Sequence, residues 1–380
     1  MCKDRRHWTI AASLLWAAVL ILILLRAGIH PARPNSLTTY LTGGSAWAAS
    51  QPLYMNWRGF VYPPPIAWFF SLFAHLPLLL SALLWHILTA AVFLAGLVAL
   101  LRSGVFHRIP HGSRGLVFLG VLPLSIGNLD NSQANPLIIG LMMLSVAAMA
   151  SEAWTLCALA ISIATAFKVY PLALALLLCL LRPRQLAWRI ALLLLLLALL
   201  PFLFQSHSYV SSQYHAWLQT RLADDRLHYT MKDAPLDLWY LLVRLGHLPI
   251  PPRAYMALQL LAGAAIAACV LFQTRRAIPE SDILATLFLL VSVWILLLGP
   301  ATENQTFIVL APAACLLAVE RPGILSVSAF SLLLAAVARN SLLPHLKSPV
   351  YMAIQPVAAL ILLGAIVACR RPDPTPHSLR

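Results

Sequence analysis

Residues 78–101 run for twenty-four positions without an Asp, Glu, Lys or Arg, and similar apolar runs recur along the whole chain. Such a run is long enough to cross the roughly 30 Å hydrocarbon core of a bilayer as a helix. In lipid every backbone N–H and C=O must find its partner inside the protein, which leaves helices or closed barrels. The runs are rich in Leu, Ala and Val and lack the period-two alternation of barrel strands. The expectation is an all-α, polytopic transmembrane helical bundle.

Composition agrees. The chain is 61% hydrophobic and 10% charged, with mean hydropathy +0.83. A soluble chain carries about a quarter of its residues as charges. The net charge of +14 and pI near 10.0 do not point to nucleic acid, because the basic residues sit as short clusters between apolar runs, as cytoplasmic anchors do. The six cysteines, at 2, 157, 179, 269, 315 and 369, fall in apolar runs or on the expected inner side. They imply no disulfide framework and no CxxC metal site. The twelve histidines show no HExxH-type spacing, so no metal is expected.

Apolar runs occupy 9–25, 78–101, 115–126, 136–150, 154–167, 170–181, 187–204, 255–272, 283–298, 307–319, 324–338 and 350–369. They predict about 11–13 helices in a single integral membrane domain, 1–380. The first run is long for a secretory h-region, and the nearest small-residue site, Ala46-Trp47-Ala48, lies far beyond it. It reads as a retained helix. With the N-terminus inside, 15 of the 26 Lys and Arg residues fall on the inner side and 11 outside. This bias predicts cytoplasmic termini in a multi-pass cell-membrane protein. The inner connectors, with Arg102, Arg108, Arg114, Arg182, Arg184 and Arg189, need nothing beyond lipid headgroups. Two long outer segments follow, 26–77 and 205–253. The first contains an apolar stretch led by Pro63-Pro64-Pro65, expected to be an interfacial or re-entrant helix; the second carries Asp224, Asp225, Asp233 and Asp237 and a short helix over 236–245. Loops of that length usually cover or build a site.

Polar groups at membrane depth are costly and mark functional positions. Four clusters fall on the outer side at run ends: RGFVYPPP at 58–65, NLDNSQAN at 128–135, KVYP at 168–171 and TENQ at 302–305. Arg58 and Lys168 offer cations for a phosphate. Asn131, Gln133 and Asn135 offer the donors and acceptors that hydroxyl-rich sugars require. Asp130 and Glu303 are acids able to take a proton. Plain alternatives stand beside these readings. Tyr62 and its prolines suit an interfacial anchor, Asp130 a polar turn, Lys168 a snorkelling side chain and Glu303 a helix cap.

In order, Tyr62-Pro63-Pro64, Ser132-Gln133-Ala134-Asn135-Pro136 and Lys168-Val169-Tyr170-Pro171 resemble the "YPP", "GQxN" and "KxYP" motifs of glycosyltransferase family 87. Gly299-Pro300-Ala301-Thr302-Glu303-Asn304 resembles a further outer-loop motif of that family. The likeness runs from about Asn35 to Pro312. It implies a GT-C-type membrane enzyme that moves a hexose, often mannose, from a polyprenyl-phosphate carrier to an extracytoplasmic glycan or glycolipid acceptor. It implies inversion at the anomeric carbon, no nucleotide or flavin cofactor and no obligatory metal. It also places Asn35, Tyr62 and Tyr170 among the substrate-contacting positions. One departure is plain. The family sets an acid early in the first outer loop, where this chain has Asn35-Ser36, and 26–77 holds no Asp or Glu at all. Neither an amide nor an unassisted hydroxyl is a useful general base at neutral pH. Asp130 is the first expected substitute and Glu303 the second. Two other readings share these features: a transporter or flippase, and a catalytically inactive relative that binds lipid phosphate. Against the transporter stand the lack of an inverted repeat and the scarcity of ionisable residues near mid-membrane, where transporters bind and couple.

Overall fold

A computed structural model describes residues 6–55, 59–223, 226–231, 234–299, 302–343 and 348–369. Among them there are helices and connections and no strand. The first half contains α1 (Arg6–Ile29), α2 (Ser36–Ala48), α3 (Pro64–Ala74), α4 (Leu78–Arg102), α5 (Arg114–Asp130), α6 (Asn135–Ala150), α7 (Trp154–Phe167) and α8 (Pro171–Leu181). The second contains α9 (Pro183–Leu199), α10 (His207–Leu222), α11 (Pro252–Arg275), α12 (Glu280–Leu298), α13 (Leu310–Glu320), α14 (Ile324–Leu342), α15 (Pro349–Met352) and α16 (Ile354–Cys369).

Every one of the predicted apolar runs is helical. Among the described residues eight helices are long and apolar enough to span a bilayer, and α6, α7, α8 and the continuous segment Asn304–Glu320 are shorter. Lipid-facing surfaces remain on α1, where Leu14, Leu15, Ile21 and Leu22 are exposed, and on α9 and α11. The centre is α6, buried on nearly its whole circumference, with α12 similarly enclosed.

α6 lies against α4 and α7. The crossing with α4 is a backbone contact: a Cβ at Gly140 would stand 2.5 Å from the Val92 carbonyl oxygen, and one at Gly96 would stand 2.1 Å from that of Gly140. Small residues at such crossings bring helices close enough for dispersion contact along their length, the main cohesive force where lipid offers no hydrophobic gain.

The two ends of the bundle differ. At one end the connectors are basic, but they do more than meet headgroups. Arg108 pairs with Asp282 at 3.0 Å and stands 3.8 Å from Glu320; Arg182 pairs with Glu280. Arg321 donates to the Cys369 carbonyl at 2.9 Å. These contacts tie the α4–α5 and α8–α9 connections to the start of α12, and α13 to the end of α16. They join residues far apart in sequence, which charge counting along the chain does not detect.

At the other end the two long loops form one cap. The first provides α2 and the expected short helix α3, and the second adds α10; α2 and α10 lie where the sequence predicts loop. Side chains of the second loop hydrogen-bond to the first. Tyr209 Oη donates to the Gln51 carbonyl at 2.7 Å, Trp217 Nε1 to that of Val61 at 3.2 Å, and Gln213 Oε1 accepts from the Leu53 amide at 3.0 Å. The expected helix at 236–245 is a single wide turn, Tyr240–Leu245. Asp237, fully buried, pins it. It pairs with Arg226 at 3.1 Å and accepts from the Tyr240 amide at 3.1 Å, while Arg226 lies over the rings of Trp239 and Tyr255. Burial pushes the Asp237 carboxyl up to about 6 despite the adjacent guanidinium. Asp224, Asp225 and Asp233 lie outside the described residues.

Gly140→Ala should lower the thermal midpoint in detergent, because the Val92 carbonyl cannot yield without moving α4. Overpacking of this kind costs about 1–3 kcal/mol. Gly127→Ala meets open space and should be neutral or stabilising by up to about 1 kcal/mol. Arg226→Met should strand the buried Asp237 and destabilise by roughly 3–5 kcal/mol, with earliest loss of protection at 226–245 in hydrogen exchange.

Candidate functional site

Three of the four polar motifs are helix starts, and proline is the reason. Pro64, Pro136 and Pro171 occupy the first turns of α3, α6 and α8. There the missing N–H costs nothing and the fixed φ is already helical. Tyr62, Asn135 and Tyr170 are thereby set at or just before three helix N-termini at the capped end. Such termini carry unpaired N–H groups and partial positive charge, a setting suited to anions.

The turn ahead of α6 is held from α4. Ser132 has a left-handed backbone (φ 55°), and Trp85 Nε1 donates to its carbonyl at 2.8 Å. His86 Nδ1 lies 2.7 Å from the Ala82 carbonyl and so donates to it. Its Nε2 therefore accepts from the Ser132 hydroxyl at 3.2 Å. A non-glycine residue is kept in this conformation by its surroundings.

Asn135 is the hub. It is fully buried, and its Nδ2 donates to Asn128 Oδ1 and to the Gln305 carbonyl, both at 3.2 Å. Its Oδ1 accepts from Lys168 Nζ at 3.0 Å. One amide thus joins α5, α6, the α7–α8 connection and the segment after α12. Both its donors are spent inside the protein, so it positions Lys168. Burial lowers the affinity of Lys168 for its proton, and the charge of Glu303 opposes that effect.

The tyrosines complete the cluster. Tyr40 of α2 and Tyr62 are buried with hydroxyls 3.2 Å apart, and Tyr40 Oη accepts from the Ala134 amide at 3.2 Å. Burial raises the Tyr62 phenol above its ordinary value, so it serves as a neutral hydrogen-bonding group. The Tyr170 hydroxyl is buried and has no hydrogen-bond partner among the described residues. A buried polar atom left unpaired costs about 1–3 kcal/mol. Glu303, exposed in the same cluster, acts electrostatically on Tyr40, Tyr62, Lys168 and Tyr170.

Asp130 sits apart from this group. Arg26 Nη1 contacts both its oxygens, at 3.2 and 3.1 Å, and Arg33 Nη1 reaches Oδ2 at 3.0 Å. Its neighbour Asn131 bonds to the start of α2: the Ser36 amide donates to the Asn131 carbonyl at 3.2 Å, and Asn131 Nδ2 to Ser36 Oγ at 3.3 Å. Asn35 is the N-cap of α2, its Oδ1 accepting from the Thr38 amide at 3.3 Å. Gln133 is half-buried, its amide N–H donating to the Asn128 carbonyl at 3.0 Å. Arg58, Pro300 and Ala301 lie outside the described residues.

Several participants carried no distinct signal in the sequence. Tyr40 stands in an ordinary amphipathic stretch, Asn128 reads as part of a polar turn, and Trp85 and His86 lie inside an apolar run. Among the described residues no group of three or more His, Cys, Asp or Glu is placed to hold a metal ion.

No curated protein matches the chain at a significant level. Among solved structures it resembles ArnT from Cupriavidus metallidurans bound to undecaprenyl phosphate, with TM-score 0.49 and 13% identity, covering 94% of this chain and 76% of that one. The apo form of the same protein gives TM-score 0.42 and 16% identity over the same shares. The model of Glycosyltransferase family 87 matches residues 60–300, a span that contains the Tyr62, Asn135 and Lys168 motifs. The chain is a membrane protein belonging to glycosyltransferase family 87.

Proposed function

We propose that this protein transfers a hexose, mannose foremost, from a polyprenyl-phosphate carrier to a hydroxyl of a glycan or glycolipid acceptor, with the capped end facing away from the cytoplasm. The observation that carries the reading is the buried Tyr170 hydroxyl at the start of α8, without a hydrogen-bond partner among the described residues and two positions from Lys168. Together they offer a cation and a free donor where a lipid phosphate must be held and then stabilised as it leaves. The orientation is supported by the 15 basic residues assigned to the opposite end. Donor and bilayer are the partners, and the chemistry requires no metal or organic cofactor.

In this reading Glu303 is the general base. It takes the proton of the acceptor hydroxyl as that oxygen attacks the anomeric carbon. The bond to the phosphate oxygen breaks on the opposite face, and the configuration inverts. The polyprenyl phosphate departs with the electron pair, held by Lys168 and Tyr170. Glu303 is the N-cap of the turn Asn304–Val309, as the plain alternative expected, yet its side chain is exposed and acts on the cluster, whereas Asp130 has both oxygens engaged by guanidiniums. A second reading keeps Asp130 as the base. In its favour, Asn131 contacts Ser36, which sets Asp130 beside the position where the resemblance expects an acid.

The test is sugar transfer by purified protein in detergent with polyprenyl-phosphate mannose. Glu303→Gln should lose about 10²–10⁴-fold in rate, while Asp130→Asn should lose far less. The reverse pattern assigns the base to Asp130, and full activity in both removes both. Product formation in detergent excludes a pure transporter, which needs two compartments. Tyr170→Phe should leave the unliganded protein at least as stable, since it removes an unpaired polar atom. It should weaken donor binding by about 5–10-fold, one neutral hydrogen bond's worth.

A further inference from the structure

The end of the bundle opposite the motif cluster contains a cavity of about 590 Å³ between α1, α4 and α5. Its walls are apolar, with Trp16, Leu20, Leu94 and Phe118 among them. The Trp16 indole donates its N–H to the Phe118 carbonyl at 3.0 Å, so no polar atom of that ring is offered to the interior. The rim is different. Arg102 ends α4, His111 lies in the turn before α5 and Arg114 begins α5; all three line the cavity, and among the described residues no Asp or Glu does.

These cations are available. Arg108, a few residues away, is consumed by Asp282 and Glu320. For Arg102 and Arg114 no ion pair occurs among the described residues, and the Nε of Arg114 is buried without a hydrogen-bond partner. The cavity opens beside α1, whose outer face exposes Leu14, Leu15, Ile21 and Leu22 to the bilayer. An apolar slot reached from the lipid and rimmed at headgroup level by unpaired cations has the form of an amphiphile site. Water would leave the slot's walls poorly solvated, and a zwitterionic headgroup would bring its own cation against the arginines.

We propose that this cavity is a binding site for an anionic phospholipid of the adjacent leaflet. The phosphate lies between Arg102, His111 and Arg114, and an acyl chain runs along Trp16 and Leu94. Basic pockets between membrane helices recognise anionic headgroups in this way. The occupant is a membrane lipid, not the sugar donor, because the cavity lies at the far end of α4 and α5 from Lys168 and Tyr170.

The experiment uses the full-length protein in mixed micelles, with lipid retention read by native mass spectrometry against equal amounts of phosphatidylglycerol and phosphatidylcholine. Wild-type protein should retain phosphatidylglycerol preferentially. Arg102→Gln and Arg114→Gln should each reduce that preference by about fivefold. Arg184→Gln removes the same charge from the same end, at an exposed residue outside the cavity, and should leave it unchanged. Ser13→Trp fills the slot from an exposed position on α1. It should abolish retention with every arginine in place, which keeps the test decisive if an arginine variant fails to fold. Equal retention of the two lipids by wild type would overturn the proposal. So would a loss in Arg184→Gln as large as in Arg114→Gln, or unaltered preference in Ser13→Trp.

Discussion

A fully buried amide at the start of α6 holds the functional end together. Asn135 reaches Asn128 on α5, Lys168 between α7 and α8, and the Gln305 backbone after α12. In a low-dielectric interior each of these bonds is electrostatically strong, and each would be expensive to leave unmade. Because both donors of the one amide are used, the elements they join cannot shift separately. Lys168, the cation of the cluster, owes its place to a neutral side chain that touches no substrate in the proposed reaction.

That hub works because the helices meeting there are fixed elsewhere. The α4–α6 contact sets the depth of α6, and the arginine pairs at the opposite end fix the start of α12. The cap adds a lid made of two chain segments whose contacting residues lie 156–160 positions apart in sequence. Proline ties the local and global levels together. It starts α3, α6 and α8 and so brings the polar residue at each start to the same end of the bundle.

Much of this was legible in the sequence. The twelve apolar runs predict the helices because lipid leaves the backbone no alternative, and the order YPP, SQANP, KVYP places three helix starts correctly. What escaped depends on long-range contact. Asn35 stands where an acid was expected, and it caps α2, a helix whose Thr- and Gly-containing stretch hides in a loop. Asp130 looked free beside a row of amides, yet Arg26 and Arg33, about 100 residues upstream, occupy its oxygens. Asn135, expected as a sugar ligand, has three internal partners that the sequence does not reveal. The α10 helix has no apolar face to announce it; its role is to hydrogen-bond to the other loop. Pairing across such distances leaves no periodicity in the chain.

The unpaired hydroxyl of Tyr170 bears on how the resting protein behaves between turnovers. A cluster that holds a buried polar atom without a partner sits above the free energy it would have when occupied. Any phosphate-bearing lipid that supplies the missing acceptor recovers that difference, whether or not it still carries a sugar. In the proposed reaction, spent carrier therefore competes with fresh donor for the same hydroxyl. Escape of the used lipid is then a step with its own barrier in that proposed cycle.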